Sequence, residues 1–325
     1  MSYINKLGKK SRLMDVYSDI SAMPKDAPSA ATIGSFDGAH LGHRRIIRRL
    51  TAIARERSLK SVLITFDPHP RVVTSRDGSE IRLLTTTEEK IALVERLGVD
   101  RLLALRFTER LATTPPEEFV KTYFVEGLRV EAAVVGYDHR FGKRREGNAD
   151  TLHALGERNG FSVETIPPVL LDGVEIGSTA IRRALLDGDL DTANRMLGRP
   201  YAISGVVVKD RGEGGRIGFP TANIATRNPW KLLPADGVYA VRVIRNGERL
   251  EGVMNVGERP TFETDEAKTV EAHLFDFEGN LYGERLEAEL IARLRDERKF
   301  ASVGALVAQI REDAARAKAI LRERV

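Results

Sequence analysis

His40 and His43 stand three residues apart in the segment Gly34-Ser35-Phe36-Asp37-Gly38-Ala39-His40-Leu41-Gly42-His43. At that spacing two side chains share one side of a helical turn. An imidazole pair so placed can donate hydrogen bonds to the charge that builds on a phosphate when its phosphorus is attacked. Gly34, Gly38 and Gly42 allow the backbone to approach a ligand closely, and Phe36 and Asp37 complete the candidate nucleotide contacts of the turn. A zinc reading of the two histidines finds no support, because the chain has no cysteine and no nearby residues complete a ligand set.

The elements around this turn are those that phosphate chemistry needs. An apolar run, residues 30–33, precedes it, and residues 44–58 follow with the apolar spacing of an amphipathic helix (Ile46, Ile47, Leu50, Ile53, Ala54). A strand, a glycine-rich turn and a helix N-terminus together offer backbone donors and partial positive charge to an anion. This is the form of the His-x-Gly-His signature of nucleotidyltransferases, which attack the α-phosphate of a triphosphate and release pyrophosphate. The arginines of the helix (Arg44, Arg45, Arg48, Arg49, Arg55, Arg57) read as its solvated face, with the first turn helping to attract a nucleotide.

The alternation continues through the first part of the chain. Strands are predicted at 62–66, 102–107, 132–135 and 162–166, and helices at 87–97, 115–128, 152–158 and 180–186. That pattern predicts a Rossmann-like, doubly wound, mostly parallel sheet, with ligands beyond the carboxyl ends of the strands. From Tyr201 the segments become short and β-rich: 203–208, 237–244, 250–256, 269–275 and 286–292. Asn246-Gly247 is a hairpin signal and residues 278–280 are a second turn. A small antiparallel β-barrel domain is expected here, with a C-terminal helix over 302–324 packed on it. The boundary falls near residues 197–200, giving domains 1–195 and 196–325.

Further motifs lie at strand exits. Thr65-Phe66-Asp67-Pro68-His69-Pro70 is a proline-stiffened turn that presents His69 at the sheet edge. The segment 136–142 offers a carboxylate, Asp138, with Arg140 and two aromatics, of which Phe141 could serve a flat heterocycle or the core. Ser178, Thr179 and Arg182 open a helix, where hydroxyls can cap it or hold a pyrophosphate group. In the second domain a glycine-rich loop containing Gly214 and Gly218 can wrap a triphosphate with backbone N–H groups. It runs into Phe219-Pro220-Thr221-Ala222-Asn223, where Thr221 and Asn223 alternate along an extended segment. Neutral oxygen donors suit a Mg²⁺ ion already bridged by ATP phosphates. Glu271, in Val270-Glu271-Ala272-His273-Leu274-Phe275, shares a strand face with His273 and Phe275 and is a candidate general base.

Composition sets the bounds. The chain has 325 residues, enough for two domains, and a net charge of +4, which suits phosphate-bearing substrates without demanding nucleic acid. No apolar stretch is long enough to span a bilayer, and the first ten residues lack the apolar core of a secretory leader. No membrane or nucleic-acid partner is expected. Zero cysteines fit a cytoplasmic protein.

Taken in order, these motifs resemble the prokaryotic bifunctional riboflavin kinase/FMN adenylyltransferase (FAD synthetase) family. The resemblance spans nearly the whole chain and includes Gly237-Val238-Tyr239, Asn255-Val256-Gly257 and Arg298-Lys299-Phe300. It implies that the C-terminal module phosphorylates riboflavin to FMN, with Thr221 and Asn223 on Mg²⁺ and Glu271 as base. It implies that the N-terminal module adenylylates FMN to FAD, with His40 and His43 on the ATP phosphates and Ser178, Thr179 and Arg182 on the phosphate tail. Asp138, Phe141 and Phe300 would then lie toward the flavin. The chain departs from the family pattern at Gly177, where serine is common, at His139, where an aromatic is frequent, and in the spacing of the glycine loop before Gly218.

Overall fold

The structure, a computed structural model, describes residues 14–75, 81–209, 219–258 and 268–323. It forms two compact units, Met1–Gly177 and Ser178–Val325. The sequence-based division at 195/196 follows the change in element type, whereas this division follows packing.

The first unit is built on six parallel strands: β1 (Asp15–Tyr17), β2 (Ser29–Ile33), β3 (Lys60–Phe66), β4 (Arg101–Leu105), β5 (Val130–Gly136) and β6 (Ser162–Ile166). Their order is β1-β4-β3-β2-β5-β6. From β2 the chain steps outward through β3 to β4, then crosses back to place β5 on the other side of β2. The topological switch point therefore lies between β2 and β5, where such sheets open a crevice for ligands. The helices are α1 (Leu41–Glu56), α2 (Pro70–Thr74), α3 (Thr87–Glu95), α4 (Glu109–Ala112), α5 (Pro116–Phe119) and α6 (Ala149–Asn159). All of β2 and β4 is buried, the mark of strands covered on both faces.

Two elements differ from expectation for local reasons. Helix α1 begins at Leu41, three residues before the predicted start, because the His40 side chain caps it. The segment predicted as a helix over 115–128 is α-helical only through Phe119 and continues as a π-helical stretch, Val120–Gly127. Its wider turns end with Leu128 N–H donating to Tyr123 C=O, and Gly127 leaves room for Ile20 against the backbone. Strand β1 has three residues at the sheet margin and carries no periodicity to read. A small hairpin, β7 (Leu170–Leu171) and β8 (Val174–Glu175), closes the unit.

The second unit opens with α7 (Ser178–Leu186) and α8 (Leu190–Leu197). Helix α8 was not predicted, although its signals were present: Asp189 accepts from Thr192 N–H, and Gly198 ends it at φ 67°. Six antiparallel strands then close a barrel: β9 (Tyr201–Val208), β10 (Ala222–Ala225), β11 (Gly237–Arg245), β12 (Glu248–Glu258), β13 (Lys268–Leu274) and β14 (Arg285–Arg295). The ring runs β10-β13-β12-β11-β14-β9, and β9 pairs with β10 to seal it. The predicted hairpin at Asn246-Gly247 joins β11 to β12, with both residues at positive φ (48° and 89°). Close strand approach needs glycine at Gly205, where a Cβ would press on Ala225 backbone.

The C-terminal helix, α9 (Val303–Glu323), lies on the barrel. Ala317 and Leu321 pack with Val238, Ala240, Val253, Phe275, Ile291 and Leu294. Asp313, buried on α9, accepts three hydrogen bonds from the Arg295 guanidinium of β14 at 2.8–3.1 Å and one from Gln309 at 2.9 Å. Asp313→Ala would leave Arg295 partly buried without its carboxylate. We expect this to destabilise the second unit by about 3–5 kcal/mol, read by urea denaturation; a change below about 1 kcal/mol would show that the apolar contacts alone hold α9.

Candidate active site

In the first unit the turn after β2 is bent by three residues in the left-handed region: Phe36 (φ 47°), Gly38 (φ 83°) and Ala39 (φ 40°). Two of them bear side chains, so the bend needs external support. Asp37 supplies it. Its buried carboxylate accepts from the Leu84 N–H (3.2 Å), the Thr85 N–H (3.0 Å) and the Thr85 hydroxyl (3.2 Å). The Gly38 N–H donates to Thr85 Oγ1 at 3.0 Å. A Cβ on Gly38 would come within 2.7 Å of Leu84 Cδ1. Asp37 and Gly38 thus hold the turn's shape, and of the turn's three glycines Gly34 and Gly42 are partly exposed.

The bend delivers the histidines. His40 is the N-cap of α1, and its Nδ1 accepts from the His43 N–H at 3.4 Å. A neutral His40 therefore carries its proton on Nε2, as a donor. The two rings stack at 3.7 Å between centroids, 21° apart, with Phe36 edge-on to His43 at 5.2 Å. Gly42 makes the stack possible, since a Cβ there would sit 3.1 Å from the His40 ring. Burial pushes His43 well below the ordinary imidazole range, and His40 and Lys90 add to the effect. His43 is therefore a neutral hydrogen-bonding group at pH 7.

Beneath the turn lies a residue that sequence reading missed. Lys90, on α3, is 3 % exposed, and its Nζ donates to Thr65 Oγ1 at 3.1 Å. Thr65 Oγ1 in turn donates to the Ser35 carbonyl at 3.2 Å. Burial lowers the Lys90 pKa to about 8, against the opposing pull of Asp37 and Asp67. A lone lysine in a short helix gives no sign of burial in sequence. The proline turn after β3 is used locally: His69 Nδ1 accepts from Arg71 N–H and caps α2.

Across the switch point, Asp138 is exposed just past β5. A Cβ on Gly136 would meet Asp138 Oδ1 at 3.1 Å and Ile46 of α1 at 3.3 Å, so the carboxylate folds back toward the sheet end. Phe141 is 7 % exposed and packs in the core with Phe119, 6.2 Å away. His139 stacks on Phe141 at 5.5 Å, and burial, aided by Arg145, takes its pKa to about 4. Ser178 and Thr179 are the first two residues of α7, and Arg182 lies one turn on.

In the barrel, pairing supplies what sequence could not. Asn223 of β10 lies directly opposite Glu271 of β13, and Asn255 of β12 lies opposite Glu271 on its other side. Cross-strand partners share a face, so the three form a row. Buried Val270, Ala272 and Leu274 alternate with half-buried Glu271 and His273, which puts the row on the outer face of the barrel. His273 Nδ1 donates to the Pro220 carbonyl at 2.9 Å and meets Phe219 edge-on at 5.3 Å, anchoring the segment that carries Thr221. Asn255 Nδ2 donates to Glu297 at 3.3 Å. Phe275 shares the face with His273, 6.1 Å between rings, but is buried under α9. Phe300 lies under the guanidinium groups of Arg295 and Arg298, at 5.7 and 4.9 Å. Gly214 and Gly218 fall outside the described residues.

Comparison with known proteins bears on both units. A family model described as FAD synthetase matches residues 22–180, and one described as riboflavin kinase matches residues 197–321. The bifunctional riboflavin kinase/FMN adenylyltransferase of Pseudomonas fluorescens is 40 % identical over 91 % of this chain and 94 % of its own length. The protein of the same name from Listeria monocytogenes is 38 % identical over 89 % of this chain and 91 % of its own. The chain belongs to the bifunctional riboflavin kinase/FMN adenylyltransferase family. Its fold is shared by a Streptococcus pneumoniae protein described as a macrolide-efflux protein, at a TM-score of 0.83 and 30 % identity, covering 93 % of this chain and 97 % of that one. Among the described residues of this family member, no helix is long and apolar enough to cross a membrane.

His40 caps α1, and one substitution separates that from the phosphate-binding role expected of it from sequence. Asparagine is a good N-cap but has no donor where Nε2 lies. We expect His40→Asn to keep the melting temperature within about 2 °C while FAD formation from FMN falls about 10²–10³-fold. Retention of full FAD formation would remove His40 from the chemistry.

Proposed function

We propose that this enzyme carries out both reactions of its family, each with the residues of one set described above. The C-terminal unit phosphorylates riboflavin to FMN with ATP, and the N-terminal module adenylylates FMN to FAD with release of pyrophosphate. The observation that supports the assignment is the Asn223–Glu271–Asn255 row on the barrel, which lies in a different unit from the His40–His43 stack.

For the kinase step, Glu271 accepts the proton of the ribityl 5′-hydroxyl as its oxygen attacks the γ-phosphorus of ATP, and ADP leaves. The donor set beside it fits Mg²⁺. Asn223 offers a neutral oxygen opposite the Glu271 carboxylate, and Thr221 lies two residues before it in the same segment. Such a site suits an ion that keeps phosphate and water oxygens for its remaining positions. Bound there by Thr221 and Asn223, Mg²⁺ would offset charge on the ATP phosphates. The loop with Gly214 and Gly218 is assigned to the triphosphate on sequence grounds, and Phe300 to the flavin.

For the adenylyl step, an FMN phosphate oxygen attacks the α-phosphorus of ATP and the bond to pyrophosphate breaks. No covalent enzyme intermediate is needed. His40 Nε2–H and neutral His43 donate to the charge that develops on the phosphates. The turn's partly exposed backbone at Gly34 and Gly42 approaches the nucleotide. Ser178, Thr179 and Arg182 are assigned to the phosphate tail on sequence grounds alone. Asp138 is assigned to the flavin side. The burial of Phe141 supports a role beneath His139, which would be the ring in contact with the ligand. Dependence of both steps on ATP supports a cytoplasmic location.

The test is a time course. With riboflavin, excess ATP and Mg²⁺, chromatography should resolve FMN first and FAD later. Glu271→Gln should lower FMN formation by at least about 10²-fold and leave FAD formation from supplied FMN unchanged. An equal loss of both in a folded variant would contradict two separate sites.

A further inference from the structure

Lys90 is a buried cation for which the mechanism above has no use. It does not reach the surface, so it cannot be a direct ligand of ATP from its present position. Its place is nonetheless specific. Thr65 Oγ1 accepts from Nζ and itself donates to the Ser35 carbonyl, the residue that begins the bend toward His40 and His43. Charged and titratable groups face it from each surrounding element: Asp37 from the bend, Asp67 from the exit of β3 and His43 from α1. Asp37 is already tied by three hydrogen bonds to residues 84 and 85, and Asp67 Oδ1 accepts from the Thr87 hydroxyl at 2.7 Å. Both carboxylates therefore have partners other than Lys90. A buried ammonium costs free energy, which the charges of Asp37 and Asp67 offset in part, and the link through Thr65 to the Ser35 carbonyl is what Lys90 adds to the turn.

We propose that Lys90 is a positioning residue of the adenylyl-transfer reaction: through Thr65 it fixes the Ser35–His43 turn, and its charge offsets the carboxylates of Asp37 and Asp67 that would otherwise repel the bound triphosphate. The inference rests on the N-terminal unit being the FMN adenylyltransferase. A charge held in a low-dielectric site acts on nearby phosphates far more strongly than one in water, and here it needs no rearrangement when the reaction begins.

The ionisation of Lys90 makes the idea measurable. Its pKa of about 8 means that the cation is present at pH 7 and is lost as pH rises through 8. The rate of FAD formation from FMN should therefore fall above about pH 8, roughly tenfold by pH 9 to 9.5. The riboflavin kinase step of the same protein serves as the internal control and should show no such limb. Lys90→Met removes the charge at similar length. It should lower kcat for FAD formation by on the order of tenfold to a hundredfold, abolish the limb near pH 8 and leave FMN formation unchanged. Thr65→Val keeps the lysine but removes the acceptor of its ammonium, so its alkaline limb should move below pH 8. This variant provides the test should the methionine variant fail to fold.

Stability gives a readout that needs no turnover. Between pH 8 and about 10.4 the unfolded chain holds the Lys90 proton and the folded chain does not. Unfolding free energy should rise with pH across that window in the native protein, relative to Lys90→Met. A flat wild-type rate from pH 7 to 9.5, or a methionine variant with full FAD formation or an unchanged alkaline limb, would overturn the proposal. Failure of wild-type protein to make any FAD from FMN would instead refute the functional assignment on which it rests.

Discussion

A chain does not readily hold Phe36 and Ala39 at positive φ without something outside the turn to enforce it. The carboxylate of Asp37 does so, by accepting from the backbone at Leu84 and Thr85, close to fifty residues away in sequence. The consequences run in one direction. The bend sets where α1 starts, the start makes His40 the N-cap, the cap orients its ring, and Gly42 lets that ring lie on His43. Residues 84 and 85 lead directly into α3, whose capping box of Thr86 and Glu89 fixes the helix carrying Lys90. One buried carboxylate thus ties the histidine-bearing turn to the element that brings a cation beneath it.

The barrel meets its positioning problem differently. Its chemistry-bearing residues are not gathered by a bend but by register. Each strand contributes one residue to the row Asn223–Glu271–Asn255, and a shift by a single residue would turn each side chain to the other face. Closure makes such a shift costly, because β9 and β10 must pair at the end of the ring and every strand is held on both sides. Helix α9 and the Asp313–Arg295 pair add a further hold on the same sheet, while His273 pins the approach to Thr221. Rigid elements of this kind suit phosphoryl transfer, in which positioning and charge do most of the work.

Much of the fold was legible because the relevant forces are local. The buried runs of β3, β4 and β5 and the apolar stripe of α1 carry their pattern in the residues themselves. Asn246-Gly247 specified its hairpin through backbone sterics alone. What could not be read from sequence has equally physical origins. The π-helical continuation after Phe119 depends on packing against Ile20, far away in the chain. Phe141 could have been platform or core by its chemistry, and only the position of Phe119 and its neighbours buries it. Strand β1 exists because β4 offers an edge, not because three residues favour extension.

By itself, the sequence determined which chemistry the chain carries. Two histidines beside glycines at a helix start, and neutral oxygens before a strand carboxylate, are matters of residue type and short spacing, which no later folding event alters. It also determined the two-part architecture, because hydrophobic period is a local property. The tertiary structure decided which groups work together. It alone set Asn223 and Asn255 on either side of Glu271, gave His40 its proton on Nε2, kept His43 neutral and buried Lys90 under the turn. Those outcomes depend on register, burial and dielectric environment, which arise only when segments distant in the chain are packed against one another.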